Sequence, residues 1–215
     1  MNEKTNTLIK QHTYFNKKFF AIWAPLYDYE KYLLFPLRNA AAKLLKLQLS
    51  SRVIDVATGT GAQAYALAKL GYDVTGIDLS EEMLREAKKK QTIGLKLKFL
   101  HADATRIPFL KNSFDAASIS LGLHDMPYPI RILVLNEIKR VTRPNGNILI
   151  IDYLEPDKNI IASILNRLVG PFETPMQKDF VTKGLAMHLN ATGLSPIITK
   201  RFLQAVQIVL CKNKN

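Results

Sequence analysis

The stretch VIDVATGTGAQA, Val53 to Ala64, constrains this chain more than any other part of it. An apolar, β-rich run carries an acid, Asp55, and leads into a turn with glycines at 59 and 61. Glycine in such a turn lets the backbone take left-handed conformations and approach a ligand closely. The spacing of Gly59, Gly61 and Ala64 fits the fingerprint G-x-G-x-x-G/A, which joins a strand to a helix in nucleoside-binding sheets. A purely structural glycine turn is the plainer reading of the same residues.

The central region of the chain alternates strand and helix in the same way. RVIDVA, DVTGID, LKLKFL, FDAASIS and NILIIDY read as five strands. Helical patterns lie between them: AYALAKL closed by Gly71, EEMLREAKKK behind Ser80 as N-cap, and a helix from about Ile130 to Val141. RPNG reads as the turn into the fifth strand. Strand–helix alternation implies a parallel sheet covered on both faces. SPIITKRFL and AVQIVLCK, with a short break between them, read as an antiparallel pair at the sheet edge. The expected fold is therefore α/β, a doubly wound, seven-stranded, mostly parallel sheet with an antiparallel edge hairpin.

At 215 residues the simplest organisation is one domain, residues 1–215. Residues 1–48 read as an N-terminal helical lid, 49–155 as the cofactor-binding core, and 156–215 as substrate-pocket helices with edge strands. Phe15, Phe19 and Trp23 fall on one helix face, and a second helix is expected over Glu30 to Leu47. Further helices are expected over Ile160–Val169 and Met176–Thr192, separated by GPFETP. The aromatic stripe, interleaved with lysines, reads either as a docked amphipathic helix or as a lid that touches a membrane surface.

One cysteine, Cys211, excludes an internal disulfide and a multi-cysteine metal site, and reads as a packing thiol. No metal is expected. No leader and no apolar run of spanning length is seen, so a cytoplasmic protein is expected, with contact at a membrane surface at most. The net charge of +12 is spread along the chain and does not choose among nucleic acid, anionic lipid and small anions.

Two ligands compete for the glycine turn. A nicotinamide or flavin dinucleotide would lay its pyrophosphate there, where Asp55 repels it. S-adenosylmethionine carries a sulfonium and an ammonium, which a carboxylate attracts. Asp78 closes the second strand, where a ribose-binding acid is expected, although it could equally cap the next helix. Asp103 follows the third strand at the carboxyl edge, where an acid can accept from an adenine amino group or simply shape a turn.

Four segments, VIDVATGTGAQA, VTGIDLSEEMLREAKKK, HADATRIPFLKNSFDAAS and EIKRVTRPNGNILIIDY, together resemble a class I S-adenosylmethionine-dependent methyltransferase. The resemblance is to the group that includes the ubiquinone/menaquinone-biosynthesis and bacterial phospholipid N-methyltransferases, and WAPLYD is similar to a segment preceding the core there. It covers residues 20–155 well. It implies S-adenosylmethionine as cofactor, with S-adenosylhomocysteine as product. Asp55, Ala57, Thr58, Gly59 and Gly61 would lie around the methionine moiety, with Leu121 facing its amine. Asp78 would take the ribose, Leu79 would pack on adenine, Asp103 with Ala104 would bind the adenine edge, and Met83 would also belong to the cofactor site. Ala57-Thr58 stands where such enzymes more often have Gly-Cys.

Methyl transfer needs alignment, exclusion of water and, for some acceptors, a base. His124, in SLGLHDMPYP, is the candidate base; lining the pocket or bonding Asp125 are the alternatives. Tyr27 is a candidate for closing the site, or else a tyrosine between two helices; Tyr153 ends the fifth strand at the same edge. His101 reads as structural, and His188 and His12 have weaker claims. The expected acceptor is a small, apolar or lipid-like molecule: a quinone-type ring, a phospholipid head group or another metabolite. An RNA methyltransferase and a non-catalytic S-adenosylmethionine-binding protein are the rival readings; NPPY is absent after the fourth strand and no separate RNA module is visible. A monomer or a homodimer fits.

Overall fold

The computed structural model describes residues 7–9, 30–154, 175–202 and 205–214. The aromatic stripe at Phe15, Phe19 and Trp23, the candidate Tyr27, and the helix expected over Ile160–Val169 lie outside them. Seven strands form one sheet: β1 Arg52–Val56, β2 Asp73–Asp78, β3 Leu97–His101, β4 Phe114–Ser120, β5 Thr142–Tyr153, β6 Ser195–Phe202 and β7 Val206–Lys212. Their order is β3-β2-β1-β4-β5-β7-β6. All neighbours pair in parallel except β7, which runs antiparallel to both β5 and β6. The expected doubly wound sheet with an antiparallel edge hairpin is what forms.

Period-two alternation decides which side chains meet which helices. On β1, Ile54 and Val56 point to one face and Val53 to the other. The first face is covered by α4 (Tyr128–Val141) and α5 (Pro175–Thr192), through Val134, Ile138, Phe180 and Leu189. The second is covered by α1 (Glu30–Ala42) and α2 (Ala62–Ala68), through Leu37, Ala41, Ala64 and Leu67. Each fully buried leucine or isoleucine in these layers contributes about 1.5–3 kcal/mol of transfer free energy. Cys211 lies in the first layer, and burial pushes its thiol up to about 12, as fits a packing residue.

Local chemistry sets the helix ends. Ser80 Oγ accepts from the Met83 amide at 3.2 Å at the start of α3 (Glu81–Lys88); acids occupy the first turn and Arg85 and Lys88 the last. Three expectations change. The helix expected over Glu30 to Leu47 ends at Ala42, continues as a 3₁₀ turn over Lys43–Leu45, and stops at Lys46 in a left-handed conformation. RPNG is no separate turn: it sits inside β5, where the register shifts after Thr142 and Asn145 takes φ 59°. The helix expected from Met176 to Thr192 is broken at Gly184, whose φ of 69° and ψ of 151° are not helical.

Candidate active site

The strand order reverses between β1 and β4, and sheets of this kind bind ligands at that crevice, outside the strands' carboxyl ends. A cavity partly open to solvent lies there. Its walls come from the loops after β1, β2, β3 and β4, with Arg38 of α1, Ile9, and Ile130 and Val134 of α4. Nine of the expected residues line it: Ala57, Thr58, Gly59, Asp78, Leu79, Met83, Asp103, Ala104 and Leu121.

The glycine turn is shaped as a cradle. Gly59 has φ 55°, and a Cβ built there meets nothing within 4 Å, so its exposed backbone faces open cavity. Gly61 has a different role. It starts α2 at φ 77°, and a Cβ would stand 2.6 Å from Phe99 Cζ. Gly61 therefore lets β3 and α2 close together and does not line the cavity.

Asp78 ties the turn to the second strand. Its Oδ2 accepts from the Gly59 amide at 2.8 Å and its Oδ1 from the Ser80 amide at 2.9 Å. Burial pushes its carboxyl up, while the amides of Ser80, Gly59 and Leu79 oppose that. Asp103 Oδ1 accepts from the Thr105 amide at 2.7 Å and the Thr105 hydroxyl at 2.8 Å. Both acids thus shape local turns and also line the cavity, while the cap of the next helix is Ser80 and not Asp78. His101 is structural: its Nε2 lies 2.9 Å from Leu79 O.

Asp55 is placed differently from the expectation. It shares the α1/α2 face with Val53, is only 1% exposed, and does not line the cavity. Thr58 stands over it, donating from Oγ1 to Asp55 Oδ2 at 2.5 Å. Burial pushes the Asp55 carboxyl up to about 6, opposed by the Thr58 hydrogen bond, then Ser118 and the Arg38 guanidinium. The cation that Asp55 feels inside the protein is Arg38. Any attraction to a bound sulfonium or ammonium acts across Thr58 and not by contact.

His124 is corrected as a candidate base. It is 6% exposed and lies off the cavity wall. Its Nδ1 is 2.8 Å from Asp152 Oδ1 and its Nε2 is 3.2 Å from Asp125 Oδ2. Burial disfavours the charged ring, but Asp125 and Asp152 outweigh it and hold the imidazole at about 10. An imidazolium with both N–H groups donated has no lone pair for a substrate proton. The alternative of a bond to Asp125 is what forms. His188 also misses the cavity: its Nδ1 lies 2.9 Å from Gly184 O, and Arg131 Nη1 is 3.3 Å from its Nε2.

Arg38, Asp125 and Ser120 are among the lining residues that the sequence reading did not assign to the site. Arg38 neighbours the buried stripe Leu37, Ala41 and Leu45, and a lone arginine beside such a stripe was the available signal. Asp125 was visible only as a partner for His124. Ser120 Oγ is buried without a hydrogen-bond partner on the cavity wall, and nothing in its sequence context marks it. The ionisable groups of the described lining are Arg38 with Asp78, Asp103 and Asp125. Of these, Arg38 with Asp78 and Asp103, two acids against one base, suits a zwitterion with an additional positive charge. The open cradle at Gly59 and the unpartnered Ser120 hydroxyl leave room and hydrogen-bonding capacity for it. The residues present fit S-adenosylmethionine.

Comparison with known proteins agrees. A family model described as a methyltransferase domain matches residues 53–146. A demethylmenaquinone methyltransferase of Beutenbergia cavernae is 35% identical over 141 residues, which cover 66% of this chain and 57% of that protein. The chain spans a little over half the length of the curated relatives it matches. Among solved structures, a chain in the complex of the Haloferax volcanii Trm112 methyltransferase activator with its methyltransferase superposes with a TM-score of 0.73 at 16% identity, covering 93% of this chain and 97% of that one. A SAM-dependent methyltransferase of Aquifex aeolicus gives 0.64 at 23% identity, covering 81% and 88%. At these identities the structural likeness concerns the fold. In its sheet order, its glycine cradle and its sequence relatives, the chain is similar to the class I S-adenosylmethionine-dependent methyltransferases.

Proposed function

We propose that the protein methylates a small, hydroxylated quinone-type ring. The observation that carries this reading is the cavity itself: a charge pattern suited to S-adenosylmethionine in its cradle, beside an apolar wall of Met126, Ile130 and Val134. The names of the relatives, demethylmenaquinone methyltransferases, support the ring acceptor. S-adenosylmethionine supplies the electrophilic methyl group when bound, and S-adenosylhomocysteine leaves.

The chain's own part is placement. Gly59 presents backbone where a side chain would block approach. Arg38 takes the methionine carboxylate as a charge-assisted partner. Asp78 and Asp103, already fixed by the amides of Gly59, Ser80 and Thr105, accept from ribose hydroxyls and the adenine amine. Leu79 and Met83 cover the ring faces, and the backbone at Leu121 meets the ammonium. Orientation of this kind and exclusion of water account for much of the rate in a displacement at carbon. Tyr27 is proposed to close the acceptor side.

The test is anaerobic incubation with S-adenosylmethionine and a reduced demethylnaphthoquinone, with the product read by mass spectrometry. A product heavier by one methylene is expected from the wild type. Asp78→Ala should weaken S-adenosylmethionine binding by roughly tenfold or more, since hydrogen bonds to a charged group contribute about 1.5–3 kcal/mol. Absence of a methylated ring with properly bound cofactor overturns the acceptor; stabilisation by NAD alone overturns the cofactor.

A further inference from the structure

Three carboxylates face the cavity, and they are held in different ways. Asp78 and Asp103 are fixed by backbone amides of their own turns. Asp125 is fixed by a side chain: His124 Nε2 lies 3.2 Å from its Oδ2. Behind that ring stands Asp152, which is fully buried. Asp152 Oδ2 accepts from the amides of Leu123 at 2.9 Å and His124 at 3.3 Å. Its Oδ1 accepts from the Tyr153 amide at 2.8 Å and from His124 Nδ1. The imidazole edge packs against Tyr153, with ring centroids 4.7 Å apart.

The two carboxylates on either side of His124 therefore differ in kind. One is sealed in the core and engaged by backbone donors. The other has a side chain 17% exposed and lies on the cavity wall, next to Met126. Each ring nitrogen lies within hydrogen-bond reach of a carboxylate, so the ring carries both protons. A carboxylate offers about four acceptor positions and no donor. Its ligand must bring the hydrogen.

We infer that Asp125 selects the methyl acceptor by taking a hydrogen bond from an O–H or N–H that the acceptor carries, while the Asp152–His124 pair holds the carboxylate in position. This rests on the ring-methylation reading above and adds a specificity determinant to it. A free hydroxyl on the ring can donate to one of the acceptor positions of Asp125; the corresponding methyl ether cannot. A hydrogen bond to a charged partner that is absent in the ether corresponds to a preference of roughly tenfold to a hundredfold. Asp125 is thus assigned to acceptor binding, and Asp152 and His124 are positioning residues.

The experiment uses the full chain loaded with S-adenosylhomocysteine and titrates it anaerobically with naphthohydroquinone and with its dimethyl ether. The wild type should bind the hydroquinone at least about tenfold more tightly. In Asp125→Asn that preference should shrink several-fold, while affinity for S-adenosylhomocysteine stays within about twofold. His124→Gln, whose one amide nitrogen cannot stand at both ring-nitrogen positions, should lose preference with Asp125 still present. Equal wild-type binding of the two compounds, or the same preference in Asp125→Asn, overturns the inference and leaves ring methylation standing. Wild-type binding of neither compound overturns the ring reading and this inference with it. The wild-type comparison decides by itself if a variant does not fold.

Discussion

The two walls of the cavity are built by different rules. On the β1–β3 side, the wall rests on backbone and on acids fixed by nearby amides: Gly59 in its cradle, Asp78 bound to Gly59 and Ser80, Asp103 bound to Thr105. On the β4–α4 side, it rests on side chains that converge from distant parts of the chain. Asp152 from β5 meets His124, and Arg131 of α4 donates to Leu123 O, Met176 O and Asp179. Arg131 is fully buried and lies over the Phe180 ring at 5.0 Å. One guanidinium thus joins the acceptor loop to α5. The first wall is a local device that many ligands of one type can share; the second is specific to this arrangement of elements.

That contrast can be tested by how each wall fails. The largest effect is expected at Arg131. Arg131→Met keeps much of the volume but strips donors from the Leu123 and Met176 carbonyls, while Asp179 keeps Lys183, and should destabilise by about 3–5 kcal/mol, chiefly through the orphaned carbonyls. Urea unfolding measures it. Loss of less than about 1 kcal/mol would show that the acceptor wall stands without its ionic hub.

An intermediate effect is expected behind the first wall, at Asp55. Its folded pKa, about 6, lies above the ordinary 3.8, so its stabilising contribution is full below the lower value and is lost as pH rises through the higher one. By neutral pH the buried charge costs about 3 kcal/mol. Asp55→Asn keeps an acceptor for Thr58 and should therefore raise stability above about pH 7, with the gain fading towards about pH 4. Thermal unfolding across that range checks it. If Asp55 also serves a bound cation across Thr58, the same variant should bind S-adenosylmethionine less tightly while melting higher. A variant that melts lower at every pH would contradict the burial argument.

The smallest effect is expected at Ala57. This alanine holds φ 51°, and its Cβ lies 3.1 Å from where a Cβ on Gly122 would stand. A left-handed conformation costs an L-residue roughly 1–2 kcal/mol, of which the greater freedom of unfolded glycine takes back about half. Ala57→Gly should stabilise by about 0.5 kcal/mol, a rise in melting temperature of roughly one to two degrees. A drop would mean that the Ala57 methyl packs usefully against the turn.

Legibility followed the same division. The seven strands, their mostly parallel arrangement and the edge hairpin were readable because alternation and glycine punctuation are local signals. Helix interruptions were not: the break at Gly184 depends on what α5 packs against, and the RPNG segment was drawn into β5 by pairing, including the Asn145 amide donating to Asn213 O at 2.7 Å. On the cofactor wall, Gly59, Asp78 and Asp103 lie within turns whose spacing carries the meaning. Gly61 belongs to the same motif, yet its reason, the close approach of Phe99, comes from another strand.

The sequence by itself determined that a nucleoside with cationic character could be held after β1, because the groups involved are the backbone of the glycine turn and acids at the ends of the next two strands, which strand–helix alternation marks. Only the tertiary structure decided what Asp55 and His124 do there. Each sits where an element remote in sequence brings its opposite charge, Arg38 to the one and Asp152 to the other. The protonation and exposure of a buried group depend on such neighbours, and no local spacing encodes them.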